Sequence, residues 1–234
     1  MWRYTIKKFL IAIITFLAFS SPSLGAATSG QPGPYFSGFL GVSIFNDITV
    51  SNYDSQSSTS ISEKFEFDPG IYIGGTGGYD FGFARLEGEL SYRGAEIDSI
   101  TSQSNNYSIH DIDGNLGVFS AMVNGYFDFH NDSRFTPYLG GGIGIATLIL
   151  SDVDGYVTRG NNTYYQSLYW ESDDTVFAYQ LGGGLDIALN KRFSIDVGYR
   201  YFKTDDAHFD SYYSTASDVS IESHNAMVGF KMKF

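Results

Sequence analysis

The 234-residue sequence predicts an all-β fold, an eight-stranded antiparallel up-and-down transmembrane β-barrel. Three observations support this prediction. Apolar and polar residues alternate with period two over segments of ten to fifteen residues, which predicts strands. The connections between these segments are alternately long and short. Aromatic residues form 17% of the chain and gather near the short connections, as in the interfacial girdles of membrane barrels.

The composition excludes several other classes of protein. Charged residues form only 17% of the chain, and the net charge is −12. The 20 Phe and 18 Tyr residues supply enough apolar surface to exclude a disordered chain. With 14 basic residues against 26 acidic ones, the chain lacks the positive surface that binds phosphates, so a nucleic-acid partner is not expected. The absence of cysteine excludes disulfide chemistry.

The amino terminus has the layout of a signal peptide. Three cations precede an apolar run over 9–19, and small residues follow over 20–27. This run is too short for a membrane-spanning helix, which needs about 20 residues. The sequence therefore predicts a signal peptide over 1–27, with cleavage within 25–28, and a barrel over 28–234. Export without cysteine favours a bacterial envelope.

The strand pattern is clearest in the segment 84–93. Leu86 and Leu90 fall on one face of an extended chain, while Glu87 and Glu89 fall on the other. A helix would distribute these charges around its surface, so the pattern predicts a strand. Seven further segments are predicted as strands, at 35–45, 70–80, 117–128, 136–149, 176–189, 193–202 and 225–234.

The connections divide into two groups. Short turns are expected at 80–82, 129–135 and 190–192. The long connections are polar and rich in Ser, Asn, Asp and Tyr, and they cover about 46–69, 94–116, 150–175 and 203–223. Outer-membrane barrels have short periplasmic turns and long extracellular loops, so these four segments are predicted to be surface loops.

The charged face of the strands is expected to point into the barrel. Arg or Lys facing lipid at the bilayer midplane costs about 2–4 kcal/mol. The interior of an eight-stranded barrel is just wide enough to be filled by side chains, so paired charges would fill it. A soluble barrel with an apolar ligand site is the disfavoured alternative. The predicted ionic network in the lumen consists of Arg85, Glu87, Glu89, Arg93, Asp186, Asp196, Arg200, Lys231 and Lys233.

Several strand segments resemble a known family. These are Tyr126–Phe129, Thr136–Gly144, Phe177–Leu185 and the last strand, from Ser223 to the terminal Phe234. They are similar to segments of the small bacterial outer-membrane β-barrel family of the opacity or porin-like type, and to the rickettsial-type major surface antigens. The resemblance implies a surface antigen surrounded by outer-membrane lipid. It also implies insertion by the outer-membrane assembly machinery, which would read Val228, Phe230, Met232 and Phe234.

The long loops carry the predicted function. Their Tyr, Ser and Asn residues suit adaptable protein recognition, which predicts a surface antigen or adhesin-type protein that contacts a host surface protein or an envelope partner. Two alternatives stay open: the loop aromatics pack only on each other, or the protein is a narrow porin for ions or small solutes. The predicted contact residues are Tyr156, Tyr164, Tyr165, Tyr169, Trp170, Tyr212 and Tyr213.

Catalysis, cofactors and metals are not predicted. Ser223 and His224 are adjacent in a strand and therefore point to opposite faces, which prevents a direct contact between nucleophile and base. The acidic turns Asp111–Gly114 and Asp152–Gly155 lack the further ligands of a calcium loop.

Overall fold

The computed structural model describes residues 32–54, 59–102, 108–151, 153–159, 162–169, 172–209 and 217–234. The predicted signal peptide lies outside these residues. Fifteen strands occur in the described part of the chain. They are β1 (Gly33–Phe45), β2 (Ile48–Asp54), β3 (Thr59–Phe67), β4 (Gly70–Asp80), β5 (Ala84–Ser102), β6 (Ser108–Asp113), β7 (Asn115–Asp128), β8 (Phe135–Leu150), β9 (Val153–Arg159), β10 (Asn162–Tyr169), β11 (Ser172–Ala188), β12 (Phe193–Thr204), β13 (Ala207–Phe209), β14 (Ser217–Val219) and β15 (Glu222–Lys233).

Eight of these strands close into an antiparallel barrel. The order around the barrel is β1, β4, β5, β7, β8, β11, β12 and β15. The barrel closes where β1 pairs with β15, which places Tyr35 opposite Lys233. The predicted eight-stranded antiparallel barrel is confirmed, and each predicted strand is present. The largest differences are in β5 and β11, which extend further than predicted at the end of the barrel that carries the long connections. We call this the loop end and the opposite one the turn end.

The two faces of the barrel wall differ sharply in polarity. Leu86, Leu181 and Phe230 point outward and are each more than half exposed, whereas Glu87 and Lys231 point into the barrel and are almost completely buried. The exposed apolar side chains continue around the outer surface, which is far more apolar than the surface of a soluble protein. Lipid therefore covers this wall. Among the described residues, none lies in a helix long and apolar enough to span a membrane.

Inward-facing glycines make room for large luminal side chains. A Cβ atom at Gly184 or at Gly198 would lie 2.6 Å from the hydroxyl of Tyr138. Real Cβ atoms essentially never approach so closely, so glycine at these two positions lets Tyr138 lie over β11 and reach Asp196 of β12.

The long connections contain strands of their own. The hairpin β2–β3 pairs with the outer part of β5, with Phe67 opposite Ile97. Strands β10, β9 and β6 form a separate three-stranded sheet, and β13 pairs with β14. These segments were predicted only as polar loops, because their overall composition is polar. Their apolar residues nevertheless form a core, in which Phe65 and Val153 are buried.

The outward orientation of Leu181 can be tested by substitution. Leu181 pairs with Gly141 near the middle of the apolar band. We expect Leu181→Arg to lower the free energy of unfolding in lipid vesicles by about 2–4 kcal/mol, the cost of a cation at the bilayer midplane. Urea titration followed by migration on unheated gels measures this change. Leu181→Ala is the control, and an equal effect of the two variants would contradict the orientation.

Candidate functional sites in the lumen and at the loop end

The centre of the lumen is organised around Glu89 of β5. Its carboxylate forms an ion pair with Arg200 of β12. It also accepts hydrogen bonds from the hydroxyl of Tyr72 at 3.1 Å, from the amide of Asn124 at 2.8 Å and from the amide of Gln180 at 2.9 Å. One buried carboxylate therefore connects five strands, and a buried charge is stable only when it is compensated in this way.

Further bonds cross the lumen between the centre and the turn end. Tyr35 donates to Glu87 at 2.5 Å, and Tyr138 donates to Asp196 at 2.7 Å. Lys231 forms an ion pair with Asp186. Each contact joins different strands, so the network holds the register of the barrel from inside.

Two luminal carboxylates were missed by the sequence analysis. Asp128 pairs with Arg85 at 3.0 Å, and Asp80 pairs with Lys233 at 2.5 Å. Asp80 was predicted to lie in a turn, and Asp128 was not predicted to face the interior. Both continue the inward-facing parity of their strands, β4 and β7, and this parity was the signal that could have identified them.

The structure places the nine residues of the predicted ionic network on the inner side of the wall. Eight are buried, and Lys233 is half-buried at the turn end. With Asp80 and Asp128, the described luminal residues include six carboxylates and five cations. They are Asp80, Glu87, Glu89, Asp128, Asp186, Asp196, Arg85, Arg93, Arg200, Lys231 and Lys233.

Arg93 marks the upper limit of this polar region. It is completely buried, with its guanidinium 3.9 Å from the ring centre of Phe202 and 4.5 Å from that of Tyr72. It donates hydrogen bonds to the hydroxyl of Ser120 at 2.8 Å and to the side-chain amide oxygen Oε1 of Gln180 at 3.3 Å. Stacking on two aromatic rings adds cation–π attraction to these bonds.

An apolar layer closes the lumen beyond Arg93. Phe45, Val118, Leu148, Phe202 and Ile221 belong to one buried cluster inside the loop end of the barrel. This layer was not predicted, because the inward face was expected to be polar along its whole length. The alternation that points Arg93 inward continues along β5 to Ala95 and Ile97, which are apolar. This was the sequence signal that could have predicted the apolar layer.

One small cavity lies within the polar region of the described residues. The cavity lined by Arg85, Glu87, Tyr126, Tyr138 and Arg200 offers about 10 Å³ for water. This is about the space that a single water molecule requires. Among the described residues, the side chains around this cavity leave room for about one water molecule.

The predicted assembly residues lie on the lipid-facing side of β15. Val228, Phe230 and Phe234 are more than half exposed, and Met232 is intermediate. Phe230 stacks on Phe193 of β12 with 5.4 Å between the ring centres.

The sheet at the loop end presents a tyrosine pair. Tyr156 of β9 lies directly opposite Tyr165 of β10, with ring centres 5.1 Å apart. Asp154 lies on the same face of the sheet, close to Tyr165. On the other face of β9, Val153 is completely buried beside Phe65. The tyrosine face therefore points away from the core, and we call it the Tyr156–Tyr165 face.

The structure does not bring all the predicted contact residues into one patch. Tyr164 pairs with Val157 and occupies the face opposite to that of its neighbour Tyr165. Trp170, Tyr212 and Tyr213 lie outside the described residues. Tyr169 ends β10, and its side chain is also outside the described part.

An ion pair closes the rim between β12 and β15. Lys203 contacts Glu222 at 2.6 Å, and Asn46 donates to the same carboxylate at 3.0 Å. The hydrogen bond from Lys203 holds the pKa of Glu222 below its ordinary value.

The histidine of the last strand has a structural partner. His224 Nδ1 lies 2.6 Å from the hydroxyl of Tyr199 on the outer surface, whereas Ser223 points into the lumen. Within the described residues, no group of three or more His, Asp or Glu side chains could hold a metal ion.

Comparisons with known proteins give a consistent result. The family described as "Outer membrane protein beta-barrel domain" matches residues 12–234. The outer membrane protein PagN of Salmonella typhimurium is 28% identical over 228 residues, which cover 89% of this chain and 93% of PagN. The crystal structure of the outer membrane protein OprG from Pseudomonas aeruginosa is similar in fold. Its TM-score is 0.53 and its identity 16%, with 89% of this chain and 98% of OprG covered. Neisserial surface protein A is also similar, with a TM-score of 0.46 and 18% identity over 87% of this chain and 99% of that one.

The buried pair Glu89–Arg200 can be tested by a double-mutant cycle. We expect Arg200→Met to lower the free energy of unfolding by about 3–5 kcal/mol, because it leaves Glu89 buried and uncompensated. Combining it with Glu89→Met removes both charges and should recover most of this loss. Urea titration in lipid vesicles measures each variant.

The rim pair supplies the control for this cycle. Lys203→Met breaks a contact of similar kind between two partly exposed groups, and it should change the urea midpoint much less. Additive losses from Glu89→Met and Arg200→Met would contradict a coupled buried pair.

Proposed function

Because the chain belongs to the family of outer membrane protein beta-barrel domains, we propose that it is a surface antigen or adhesin-type barrel. The barrel lies in the bacterial outer membrane, surrounded by lipid. In this proposal the turn end faces the periplasm and the loop end is extracellular, as in other barrels of this kind. The loop end contacts a protein of the host surface or of the cell envelope.

One observation carries this proposal: an exposed tyrosine pair on an ordered sheet at the loop end. Tyr156 and Tyr165 are 42% and 58% exposed, although their rings contact each other. Tyrosine provides a large contact area at a low entropic cost, and a paired sheet fixes its position before a partner binds. The mutual packing of the two rings therefore supports recognition by preparing the surface for it.

The closed lumen argues against the alternative of a narrow porin. A conducting pore needs a continuous path of water between the charged groups. Here the charges bind one another, and the apolar layer with Phe202 and Leu148 lies across the path at the loop end. The barrel is better suited to hold its extracellular sheet than to pass solutes.

Export and insertion complete the proposal. The segment 1–27 acts as a cleaved signal peptide. The assembly machinery then reads the outward-facing residues of β15 and Phe234, which follows this strand. We also propose a binding role without catalysis, since Ser223 and His224 occupy opposite faces and His224 already contacts Tyr199.

The adhesion proposal is tested by removing the tyrosine sheet. A chain lacking residues 156–170, expressed in a non-adherent bacterium, should lose most of the binding to cultured host cells that the intact chain confers, because both tyrosines are deleted. Counting bound bacteria measures this effect. Heat-modifiable gel migration must show that the shortened barrel is folded. Unchanged adhesion by a folded variant would refute the proposal.

The porin alternative is tested in a planar lipid bilayer. We expect the purified protein to give no steady channel openings, because its lumen is filled by paired charges and an apolar layer. The double variant Phe202→Ala/Leu148→Ala opens space in that layer without removing a charge. Its recordings are compared with those of the unaltered chain. Steady openings by the unaltered chain would restore the porin function.

A further inference from the structure

We propose that the Tyr156–Tyr165 face binds a positively charged, arginine-bearing segment of a partner protein. This inference rests on the proposed function, since it names the chemistry of the partner that an adhesin-type surface would take. It depends on three features: the distribution of charge, the state of the loop lysines and the composition of the exposed sheet face.

The negative charge of the protein is concentrated at the loop end. The four long connecting segments, 46–69, 94–116, 150–175 and 203–223, contain 19 of the 26 acidic residues and three of the 14 basic ones. Their formal charge is −16, against −12 for the whole chain. A field of one sign attracts ligands of the opposite sign and accelerates their association. The extracellular surface therefore favours a cationic partner.

The few cations at the loop end are largely engaged by carboxylates. Lys64 contacts Asp47 at 2.9 Å and Glu66 at 2.7 Å. Lys203 contacts Glu222 at 2.6 Å. The third basic residue of these segments is Arg159, whose side chain is outside the described part. A sulfated polysaccharide or another polyanion would have to displace these contacts and overcome the surrounding negative charge.

The exposed sheet face provides suitable groups for a guanidinium. Tyr156 and Tyr165 present their rings side by side, and Asp154 lies on the same face. Asp113 of the neighbouring strand β6 is exposed and pairs with Asp154 of β9. Arginine binds aromatic rings through cation–π contact and carboxylates through charge-assisted hydrogen bonds. This face offers both kinds of contact within three adjacent strands.

The direction of the side chains supplies a matched control. Tyr164 is also a tyrosine of this sheet and is 49% exposed. Unlike Tyr156 and Tyr165, it lies on the opposite face, beside Val157. Substitution of Tyr164 removes an equal aromatic ring from the same strand. Only the tyrosines of the proposed face should therefore affect binding.

The experiment uses the full exported chain in lipid nanodiscs. Peptides of equal length that alternate Arg with Ser, Lys with Ser, or Glu with Ser are measured by biolayer interferometry, and heparin is included as a polyanion. We expect the Arg peptide to bind more tightly than the Lys peptide, and the Glu peptide and heparin not to bind. The double variant Tyr156→Ala/Tyr165→Ala should lower the affinity for the Arg peptide about tenfold, because this is the scale of a lost cation–π contact.

The variant Tyr164→Ala serves as the control for the proposed face. Tyr164→Ala should leave the affinity within about twofold, and raised salt should weaken binding to the intact chain. Equal loss in the Tyr164 variant and in the double variant would overturn the proposed face. Binding of heparin that matches that of the Arg peptide would overturn the proposed charge preference.

Failure of this inference can be separated from failure of the proposed function. If the loop deletion abolishes adhesion to cells while the intact chain does not bind the Arg peptide, the protein is an adhesin and the inferred partner chemistry is wrong. If the peptide binds through Tyr156 and Tyr165 but adhesion survives the deletion, the site stands and the adhesin function is wrong.

Discussion

The structure depends on the narrowness of an eight-stranded barrel. Its interior is just wide enough to be filled by side chains, so each inward-facing charge must be compensated by another side chain. Glu89 meets this requirement through Arg200, Tyr72, Asn124 and Gln180, which come from four other strands. Because these contacts fit only one pairing of the strands, the same bonds that compensate the charge also set the register. The lipid-facing wall needs no such specificity and can be uniformly apolar.

The sequence was informative wherever the alternation of residues had a single explanation. Leu86 and Glu87 could be assigned to opposite faces because charge cannot face lipid cheaply. The same rule was applied too locally elsewhere. Asp80 was assigned to a turn although it keeps the parity of its strand, and the apolar layer after Arg93 was missed because the inward face was assumed to be polar along its whole length. Contacts between distant strands, such as the one from Arg93 to Phe202, depend on the closed tertiary structure and leave no local pattern.

The loop end shows a second limit of inference from composition. Its Tyr-rich segments were predicted from composition, which carries no direction, so Tyr164 and Tyr165 were grouped together although adjacent residues of a strand point to opposite sides. The direction is visible only once β10 is paired with β9. Above the bilayer the chain also reverses its polarity, since Phe65 and Val153 are buried as in a soluble protein. The molecule thus combines a polar interior within the membrane with an apolar interior outside it.

The length of β5 has a mechanical consequence. It contains 19 residues, whereas a tilted strand crosses the bilayer with about 9–11. The residues of β5 beyond this length continue as a stiff paired strand. At about 3.3 Å per residue along the tilted strand, they reach roughly 20 Å beyond the hydrocarbon region. Together with the hairpin β2–β3 it supports the outer sheets at a fixed height. The side chains carried by these outer sheets are therefore held well away from the hydrocarbon core of the bilayer.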